Sequence, residues 1–264
     1  MQESSRVDDY LKCQFSDIAL LLQLVLQKNS VWLINNKQYQ LSKQEKNLLN
    51  GLIEKRKSGV PFAYLSGKQG FYHLNFKVTT DTLIPRPETE ILIDIALDLC
   101  KNKPCNLLDL GTGSGNIAIS LADKNPDWQV SATDFSENAL AVAKQNATSK
   151  INFYQGDWFA AVPNQTFDLI ISNPPYIAEN DAHLADLKHE PIEALSAGKD
   201  GLEAIKIIIK QAPLHLNKQG FLLLEHGYDQ RKAIIEMLKA KFTSIKTFND
   251  YNHQNRAILA QLKT

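Results

Sequence analysis

The sequence predicts an α/β protein, in which a mostly parallel sheet with helices on both faces follows a small all-α helical domain. From Glu88 onward, helical patterns alternate with short apolar strands, and this alternation is typical of a parallel sheet. Before about residue 72 the apolar residues recur only at helical spacing. We therefore place a helical domain at residues 1–72 and a second domain at 73–264, with a β-hairpin linker at 73–87.

The helical domain is predicted from periodicity and from helix-end signals. Apolar residues between Tyr10 and Leu26 are spaced by three and four, which predicts a helix with one apolar face. Ser42 and Glu45 form a capping-box pattern at the start of another helix. Pro61 suits the first turn of a short helix that Gly67 would end.

The second domain is predicted element by element. Between Phe71 and Thr80, apolar and polar residues alternate, as expected for the hairpin. The predicted helices are 88–101, 116–124, 136–148, 201–216 and 229–241, and the predicted strands are 106–110, 129–133, 151–154, 167–171 and 221–225, with two more strands before Leu262.

A glycine-rich turn, Gly111 to Gly115, follows the first predicted strand and precedes a helix. Glycines allow a tight turn and let a ligand approach the main chain near the helix N-terminus. Position 116 is Asn, so the dinucleotide pattern G-x-G-x-x-G is broken and NAD is disfavoured. The next strand ends in Asp134, at the distance where an acidic residue receives ribose hydroxyls. These residues predict a ligand that contains a ribose.

A second motif, Asn173-Pro174-Pro175-Tyr176, follows the apolar strand 167–171. The Asn173 side-chain oxygen and the Pro174 carbonyl can each accept a hydrogen bond from an NH2 group, and the prolines hold the chain stiff. The Tyr176 ring can lie against a flat substrate. The alternative is an ordinary exit from a strand into a loop, since Asn-Pro is common in turns.

Four candidate ligand-binding residues follow four predicted strands. They are Gly111, Asp134, Asp157 and Asn173. Ligands bind at the carboxyl ends of parallel strands, so these positions predict one shared site.

Composition limits the possible classes of protein. The chain has 264 residues, with 44% hydrophobic and 22% charged residues, which is typical of a soluble globular protein. The longest apolar run, Ile18 to Leu26, is too short to cross a bilayer, and the first residues lack a signal-peptide pattern, so we expect a cytoplasmic protein. Cys13, Cys100 and Cys105 lack metal-ligand spacing, which predicts reduced thiols and no bound metal.

The net charge is zero, which argues against direct binding of nucleic acid. The charge is uneven, however, because residues 1–75 carry ten Lys or Arg against six Asp or Glu. This excess fits either an ordinary solvated helix surface or a basic module that docks on an acidic partner.

Taken in order, these motifs resemble the Class I S-adenosylmethionine-dependent methyltransferases that carry Asn-Pro-Pro-Tyr. The segment Leu83 to Glu90, LIPRPETE, is similar to the signature of the release factor glutamine methyltransferase family. GDWF at 156–159, HEP at 189–191 and FLLLEHG at 221–227 support this resemblance. The resemblance implies a Rossmann-like sheet of seven strands whose last pair is antiparallel. It also implies methyl transfer from S-adenosyl-L-methionine to the glutamine of the Gly-Gly-Gln motif in peptide chain release factors.

The resemblance also implies roles for individual residues. The methionine part of the cofactor would contact Gly111, Thr112, Gly113, Ser114 and Gly115. Asp134 would bind the ribose, Trp158 the adenine face and Asp157 the adenine amino group. Asn173 and Pro174 would hold the amide hydrogens of the substrate, and Pro175 and Tyr176 would pack beside the substrate. Asn173 would also contact the cofactor.

The Pro-rich segment allows two interpretations. Arg86 could pair with Glu88 or with the methionine carboxylate, and Pro87-Glu88 could equally be a plain helix start.

Three other functions share some of these features. A nucleic-acid amino methyltransferase would share Asn-Pro-Pro-Tyr, but the chain lacks a strongly basic surface. A ribosomal-protein glutamine methyltransferase would share the chemistry, but its branch departs from the Pro-Glu-Thr-Glu found at 87–90. A non-catalytic ligand-binding protein would not need Asn173, Asp134 and the glycines together.

Overall fold

The computed structural model describes residues 5–101 and 103–264, and the chain divides into two compact units, Met1–Ser66 and Gly67–Thr264. This division lies before the hairpin, six residues earlier than the predicted boundary after Tyr72. The reason is that strand β1, Lys68–Phe71, pairs with β2, Leu74–Lys77. Phe71 is buried in the core of the second unit.

The first unit is a set of short helices. They are α1 Val7–Leu11, α2 Ile18–Leu26, α3 Ser30–Asn35, α4 Lys43–Lys57 and α5 Phe62–Ser66. Val7, Leu21, Leu33 and Leu49 meet in its apolar core. The predicted capping box of α4 is confirmed.

The capping box joins two side chains to two backbone amides. Ser42 Oγ accepts the Glu45 amide at 3.2 Å, and Glu45 Oε2 accepts the Ser42 amide at 2.7 Å. No helix in the described part of the chain is long and apolar enough to cross a membrane.

The second unit is a seven-stranded sheet with helices on both faces. The remaining strands are β3 Asn106–Leu110, β4 Gln129–Asp134, β5 Asn152–Gln155, β6 Phe167–Ser172, β7 Leu216–Glu225, β8 Phe242–Asn249 and β9 Asn255–Leu262. The helices are α6 Glu90–Leu99, α7 Asn116–Lys124, α8 Glu137–Asn146, α9 Glu203–Gln211 and α10 Arg231–Leu238.

The strand order is β5-β4-β3-β6-β7-β9-β8. β5, β4, β3, β6 and β7 are parallel, and β9 is antiparallel to both of its neighbours. The predicted seven-stranded, Rossmann-like fold with an antiparallel last pair is confirmed. From β3 the chain adds β4 and β5 on one side and then β6 and β7 on the other. Such a change of side leaves a crevice at the carboxyl ends of the strands, next to β3.

Each face of the sheet has its own core, because successive strand residues point to opposite faces. In β3, Leu107 belongs to the cluster that includes Ile93 and Ile119, whereas Leu108 belongs to the cluster that includes Ile205 and Ile234. β3 is therefore covered on both faces, which is usual for parallel strands.

The predicted helix 201–216 is too long, and the predicted strand 221–225 is too short. Pro213 has no N–H to continue the α-helix, so α9 ends at Gln211 and a 3-10 turn, Ala212–Leu214, follows. β7 then begins at Leu216, which pairs with Phe167 before an irregularity in the register.

Candidate active site

The carboxyl ends of four parallel strands surround a cavity of about 350 Å³ in the second unit. Gly111 and Gly113 after β3, Asp134 at the end of β4, Asp157 and Trp158 after β5, and Asn173 after β6 all line it. The structure therefore brings together the four predicted strand ends. The volume lies at the lower end of the range typical for small-molecule sites.

The glycine turn is shaped by its backbone hydrogen bonds to β4. The amides of Gly111 and Thr112 both donate to the Thr133 carbonyl at 2.9 Å. Gly113 has a φ of 55°, and a Cβ at this position would meet nothing within 4 Å. The backbone at Gly113 is thus open to the cavity.

Three predicted cofactor residues lie outside the cavity wall: Thr112, Ser114 and Gly115. Thr112 is buried and its hydroxyl donates to Asp109 Oδ2 at 2.6 Å. A Cβ on Gly115 would lie 2.6 Å from Ile119 Cδ1. These residues shape the turn and its packing on α7.

Asp109 supports the same turn through the hydrogen bonds of its carboxylate. Its Oδ2 also accepts the Ala118 amide at 3.2 Å, so β3, the turn and α7 are joined through one carboxylate. The side chain is completely buried, and burial raises its pKa to about 7. Asp109 is a structural acid, because it does not reach the cavity wall.

Asp134 lines the cavity and also holds the loops on either side of it. Its Oδ2 accepts the Gly113 amide at 2.8 Å, and its Oδ1 accepts the Ser136 amide at 2.9 Å. Burial raises the pKa of Asp134, and the backbone hydrogen bonds oppose that rise. Each oxygen keeps a further lone pair, so the carboxylate can still accept two hydroxyl groups.

Trp158 lies between the cavity and the apolar core of the second unit. It lines the cavity near Gly111, where a Cβ would be 3.7 Å from Trp158 Cζ3. It also packs against the core cluster on that face of the sheet. Trp158 has a φ of 46°, a left-handed conformation that is uncommon for a bulky residue and is frequent at functional sites. Asp157 beside it is exposed.

Asn173 lies between two cavities. It lines the larger one together with Pro175, and it lines a second cavity of about 120 Å³ together with Pro174 and Tyr176. Its Nδ2 donates to Thr89 Oγ1 at 3.1 Å. This bond uses the donor side of the amide and leaves Oδ1 without a hydrogen bond within the described structure.

Tyr176 is held by its hydroxyl group. The hydroxyl donates to Glu225 Oε1 at 3.1 Å and lies 3.4 Å from Arg256 Nη1. Burial, together with the nearby Glu225 charge, raises the Tyr176 pKa, so the hydroxyl stays protonated. Burial also raises the pKa of Glu225 to about 7.

Arg86 has a protein partner that the sequence analysis did not name. It forms an ion pair with Glu190, which also accepts the Ile84 amide at 3.0 Å. Of the two interpretations, the pairing of Arg86 with Glu88 is not observed, because the segment before Pro191 brings a buried carboxylate to Arg86 instead. The ion pair joins two segments that border the second cavity.

Gln230 joins the Asn-Pro-Pro-Tyr motif to the loop before α9. Its Nε2 donates to the carbonyl groups of Tyr176 at 2.9 Å and of Gly201 at 3.2 Å. Its Oε1 accepts the Gly227 amide at 2.9 Å. Gly201 has a φ of 67°, and a Cβ there would lie 2.3 Å from the Tyr176 carbonyl oxygen.

Several wall residues were not predicted as site residues from the sequence. Thr80 to Leu83, Phe135, Glu193 and Ala194 line the larger cavity. Phe135 follows Asp134 directly and is 62% exposed, so an exposed aromatic residue at a strand end was the available signal. The others come from loops distant in sequence.

This fold and this site define the chain as a methyltransferase-like α/β protein. Residues 89–254 match the family described as Methyltransferase small domain, and residues 14–67 match the PrmC N-terminal domain. A methyltransferase of Pyrococcus furiosus has a similar fold, with a TM-score of 0.57 and 19% identity over 79% of this chain and 98% of that chain.

Curated relatives give the particular family. The chain is 46% identical to the release factor glutamine methyltransferase of Coxiella burnetii, over 85% of this chain and 83% of the relative. It is 38% identical to that of Escherichia coli K12, over 93% of this chain and 91% of the relative. The chain belongs to the release factor glutamine methyltransferase family.

Proposed function

We propose that this protein transfers a methyl group from S-adenosyl-L-methionine to the side-chain amide nitrogen of the glutamine in the Gly-Gly-Gln motif of peptide chain release factors. Asn173 is the observation that carries the proposal. It lies on the wall of both cavities and has its amide donor already bonded to Thr89.

The larger cavity fits an adenosine-containing cofactor. Gly113 leaves open space at the turn, Asp134 keeps acceptor capacity for the ribose, and the Trp158 ring offers an aromatic face for adenine. Asp157 is positioned on the same wall and would receive the adenine amino group. When bound, the cofactor supplies an electrophilic methyl group on a sulfonium.

The turn contributes to cofactor binding in two ways. Gly111 and Gly113 would contact the methionine part directly. Thr112, Ser114 and Gly115 would act through the shape of the turn, since they do not reach the wall.

The second cavity fits the methyl acceptor. An amide nitrogen is a poor nucleophile because its lone pair is delocalised, so the enzyme must orient it. Asn173 Oδ1 and the Pro174 carbonyl would accept the two amide hydrogens and align the nitrogen toward the larger cavity. Pro175 and Tyr176 would enclose the glutamine side chain. No strong base is needed, because methyl transfer to the neutral amide first gives an N-protonated cation, which is a strong acid and loses its extra proton to water.

The first unit is the part of the chain that we assign to recognition of the release factor. A glutamine side chain has little area, so specificity requires contacts away from the transferred methyl group. Val31 and Ile34 in α3 are 61% and 63% exposed, and such side chains suit a protein partner.

The test is a transfer of label. The protein is incubated with methyl-labelled S-adenosylmethionine and, separately, with a purified release factor, ribosomal subunits or DNA. We expect label only in the release factor, and peptide mapping should place it on the glutamine of Gly-Gly-Gln. Label in a ribosomal protein or in DNA would contradict the proposed substrate. A release factor whose glutamine is replaced by Glu is the matched control.

A further inference from the structure

Asn146, the last residue of α8, joins the hairpin to the glycine turn. Its Oδ1 accepts the Lys77 amide at 2.7 Å. Its Nδ2 donates to the Lys77 carbonyl at 3.0 Å and to the Ser114 carbonyl at 2.9 Å. Lys77 ends β2, and Ser114 lies within the turn. One side chain therefore bridges two backbone segments that are far apart in the chain.

The partners of Asn146 allow its amide group only one orientation. The Lys77 N–H can only donate, and the two carbonyl oxygens can only accept. A flipped amide would place its NH2 against the Lys77 N–H and its oxygen against the carbonyl oxygens. The observed orientation uses both hydrogens of Nδ2 and a lone pair of Oδ1. An aspartate at this position could accept from Lys77 but could not donate to Ser114.

The Ser114 end of this bridge belongs to the cofactor side of the site. Gly113, the residue before Ser114, lines the larger cavity and donates its amide to Asp134 Oδ2 at 2.8 Å. Asp134 thus holds the amide of Gly113, and Asn146 holds the carbonyl of Ser114. The stretch of backbone that would contact the methionine part of the cofactor is fixed at both ends.

The Lys77 end belongs to the segment that leads to another wall of the same cavity. Thr80 to Leu83 line the larger cavity and follow shortly after β2. Near the other end of α8, Asn138 Nδ2 donates to Asp81 Oδ1 at 3.2 Å. Helix α8 is therefore bonded both to the end of the hairpin and to the wall segment after it.

We propose that Asn146 is a positioning residue that couples the order of the hairpin to the binding of the cofactor. Cofactor contacts with Gly113 would restrain the turn, and the bridge from Ser114 through Asn146 to Lys77 would pass this restraint to the hairpin. By linkage, an ordered hairpin raises the affinity for the cofactor by the same factor. The inference rests on the proposed function, since it assigns the cofactor to the larger cavity.

The first experiment measures the binding of S-adenosylmethionine by calorimetry in Asn146→Ala and Asn146→Asp. The Kd should rise roughly 3- to 10-fold in both variants, the range for loss of one hydrogen bond, because neither can donate to Ser114. Gln145→Ala is the matched control, since Gln145 Oε1 accepts from the Lys77 side chain and the bridge stays intact. An unchanged Kd in folded Asn146→Ala would overturn the proposal.

Single-turnover methyl transfer separates the position of the turn from the chemical step. At saturating cofactor, the rate of Asn146→Ala should stay within about 3-fold of wild type, because Asn146 lines neither of the two cavities described above. A fall of the saturated rate by more than about 10-fold would show that Asn146 acts on more than the cofactor turn, and it would refute the assignment.

Hydrogen exchange measures the coupling itself. S-adenosylmethionine should slow the exchange of the backbone amides of residues 69–76 in the wild type and in Gln145→Ala, and should leave it unchanged in Asn146→Ala. The Lys77 amide is left out, because the substitution itself removes its partner. Equal protection of the hairpin in Asn146→Ala and the wild type would contradict the coupling.

Exchange without cofactor tests the bridge alone. In Asn146→Ala the amides of the hairpin and those of residues 111–115 should both exchange faster than in the wild type, and a change confined to one of the two segments would overturn the bridge. Calorimetry and hydrogen exchange need no release factor. A wild-type protein that leaves release factor unlabelled would therefore refute the proposed substrate, while these measurements still decide the role of Asn146.

Discussion

Among single side chains, Asn173 should have the largest effect on methyl transfer. Replacing Asn173 by Ala removes the amide acceptor, and we expect the single-turnover rate at saturating cofactor to fall by about 10²–10³. The matched control is Asn152→Ala, which changes an exposed asparagine at the start of β5, outside both cavities. A wild-type rate in the folded Asn173 variant would exclude this role.

Asp109 should make stability depend on pH. Its pKa is about 7 in the folded protein, whereas an unfolded aspartate ionises near pH 3.9. Between these two pH values the folded state therefore binds more protons than the unfolded state. The contribution of Asp109 to the free energy of unfolding is fully present below about pH 4 and is lost as the pH rises through about 7.

Asp109→Asn removes this titration. The free energy of unfolding of the wild type, relative to the variant, should fall by up to about 4 kcal/mol between pH 4 and pH 8. Urea unfolding at several pH values measures this difference. A difference that stays constant with pH would show that Asp109 is already charged in the folded protein.

Site residues with a strong local sequence pattern could be predicted from the sequence. The residues that they contact in the folded protein mostly could not. Asp134 and Asn173 each follow an apolar strand, so their place at one sheet edge could be predicted. Glu225 was visible only as part of a motif, because its hydrogen bond with the Tyr176 hydroxyl joins residues far apart in the chain. The loss of Thr112 from the wall depends on the buried Asp109, which no local pattern reveals.

At the level of loops and helices, two glycines offer a matched test of the link between α9 and the Asn-Pro-Pro-Tyr motif. Gly67 and Gly201 have φ values of 68° and 67°, but a Cβ on Gly67 meets nothing within 4 Å, whereas one on Gly201 meets the Tyr176 carbonyl oxygen. We expect Gly67→Ala to cost about 1–2 kcal/mol, the cost of a left-handed alanine. Gly201→Ala should cost more and should also slow methyl transfer.

The measurements are thermal unfolding of both variants and single-turnover rates. Equal destabilisation of the two variants would show that the loop before α9 moves freely away from Tyr176. A normal rate in Gly201→Ala would show that a shift of the Tyr176 carbonyl does not affect the neighbouring Asn173.

The periodicity of apolar residues predicted where most helices and strands lie. It did not always predict the residues at which they begin and end. The four parallel strands up to 171 were predicted to within one residue at each end, because each is a short apolar run bounded by turn residues. β7 was predicted five residues too short at its start, since Leu216 to Gly220 contains polar residues and an irregular register. Such irregularities depend on the partner strand and leave little trace in a single sequence.

For the molecule as a whole, the helical unit should matter for the protein substrate and not for the cofactor. A truncated protein that begins at Gly67 keeps both hairpin strands, whereas one that begins after Tyr72 would lose β1 and the buried Phe71. We expect the Gly67 form to bind S-adenosylmethionine normally and to lose most of its kcat/KM for an intact release factor.

The control is a short peptide that contains Gly-Gly-Gln, which should be a poor substrate for both the full chain and the truncated form. Val31→Ser with Ile34→Ser in the full chain tests the exposed surface of α3 without deletion. Full activity of the truncated protein on release factor would place recognition in the second unit.

The position of β9 has a consequence for biosynthesis. β9 lies between β7 and β8, yet the ribosome makes it after both, and within the described sheet β8 pairs with β9 alone. Until residues 255–262 leave the ribosome, one edge of β7 has unpaired backbone groups that can bind strands of other chains. Arg256, which approaches the Tyr176 hydroxyl, arrives with the same strand. A nascent chain thus acquires its ordered active-site wall only when its aggregation-prone edge is closed.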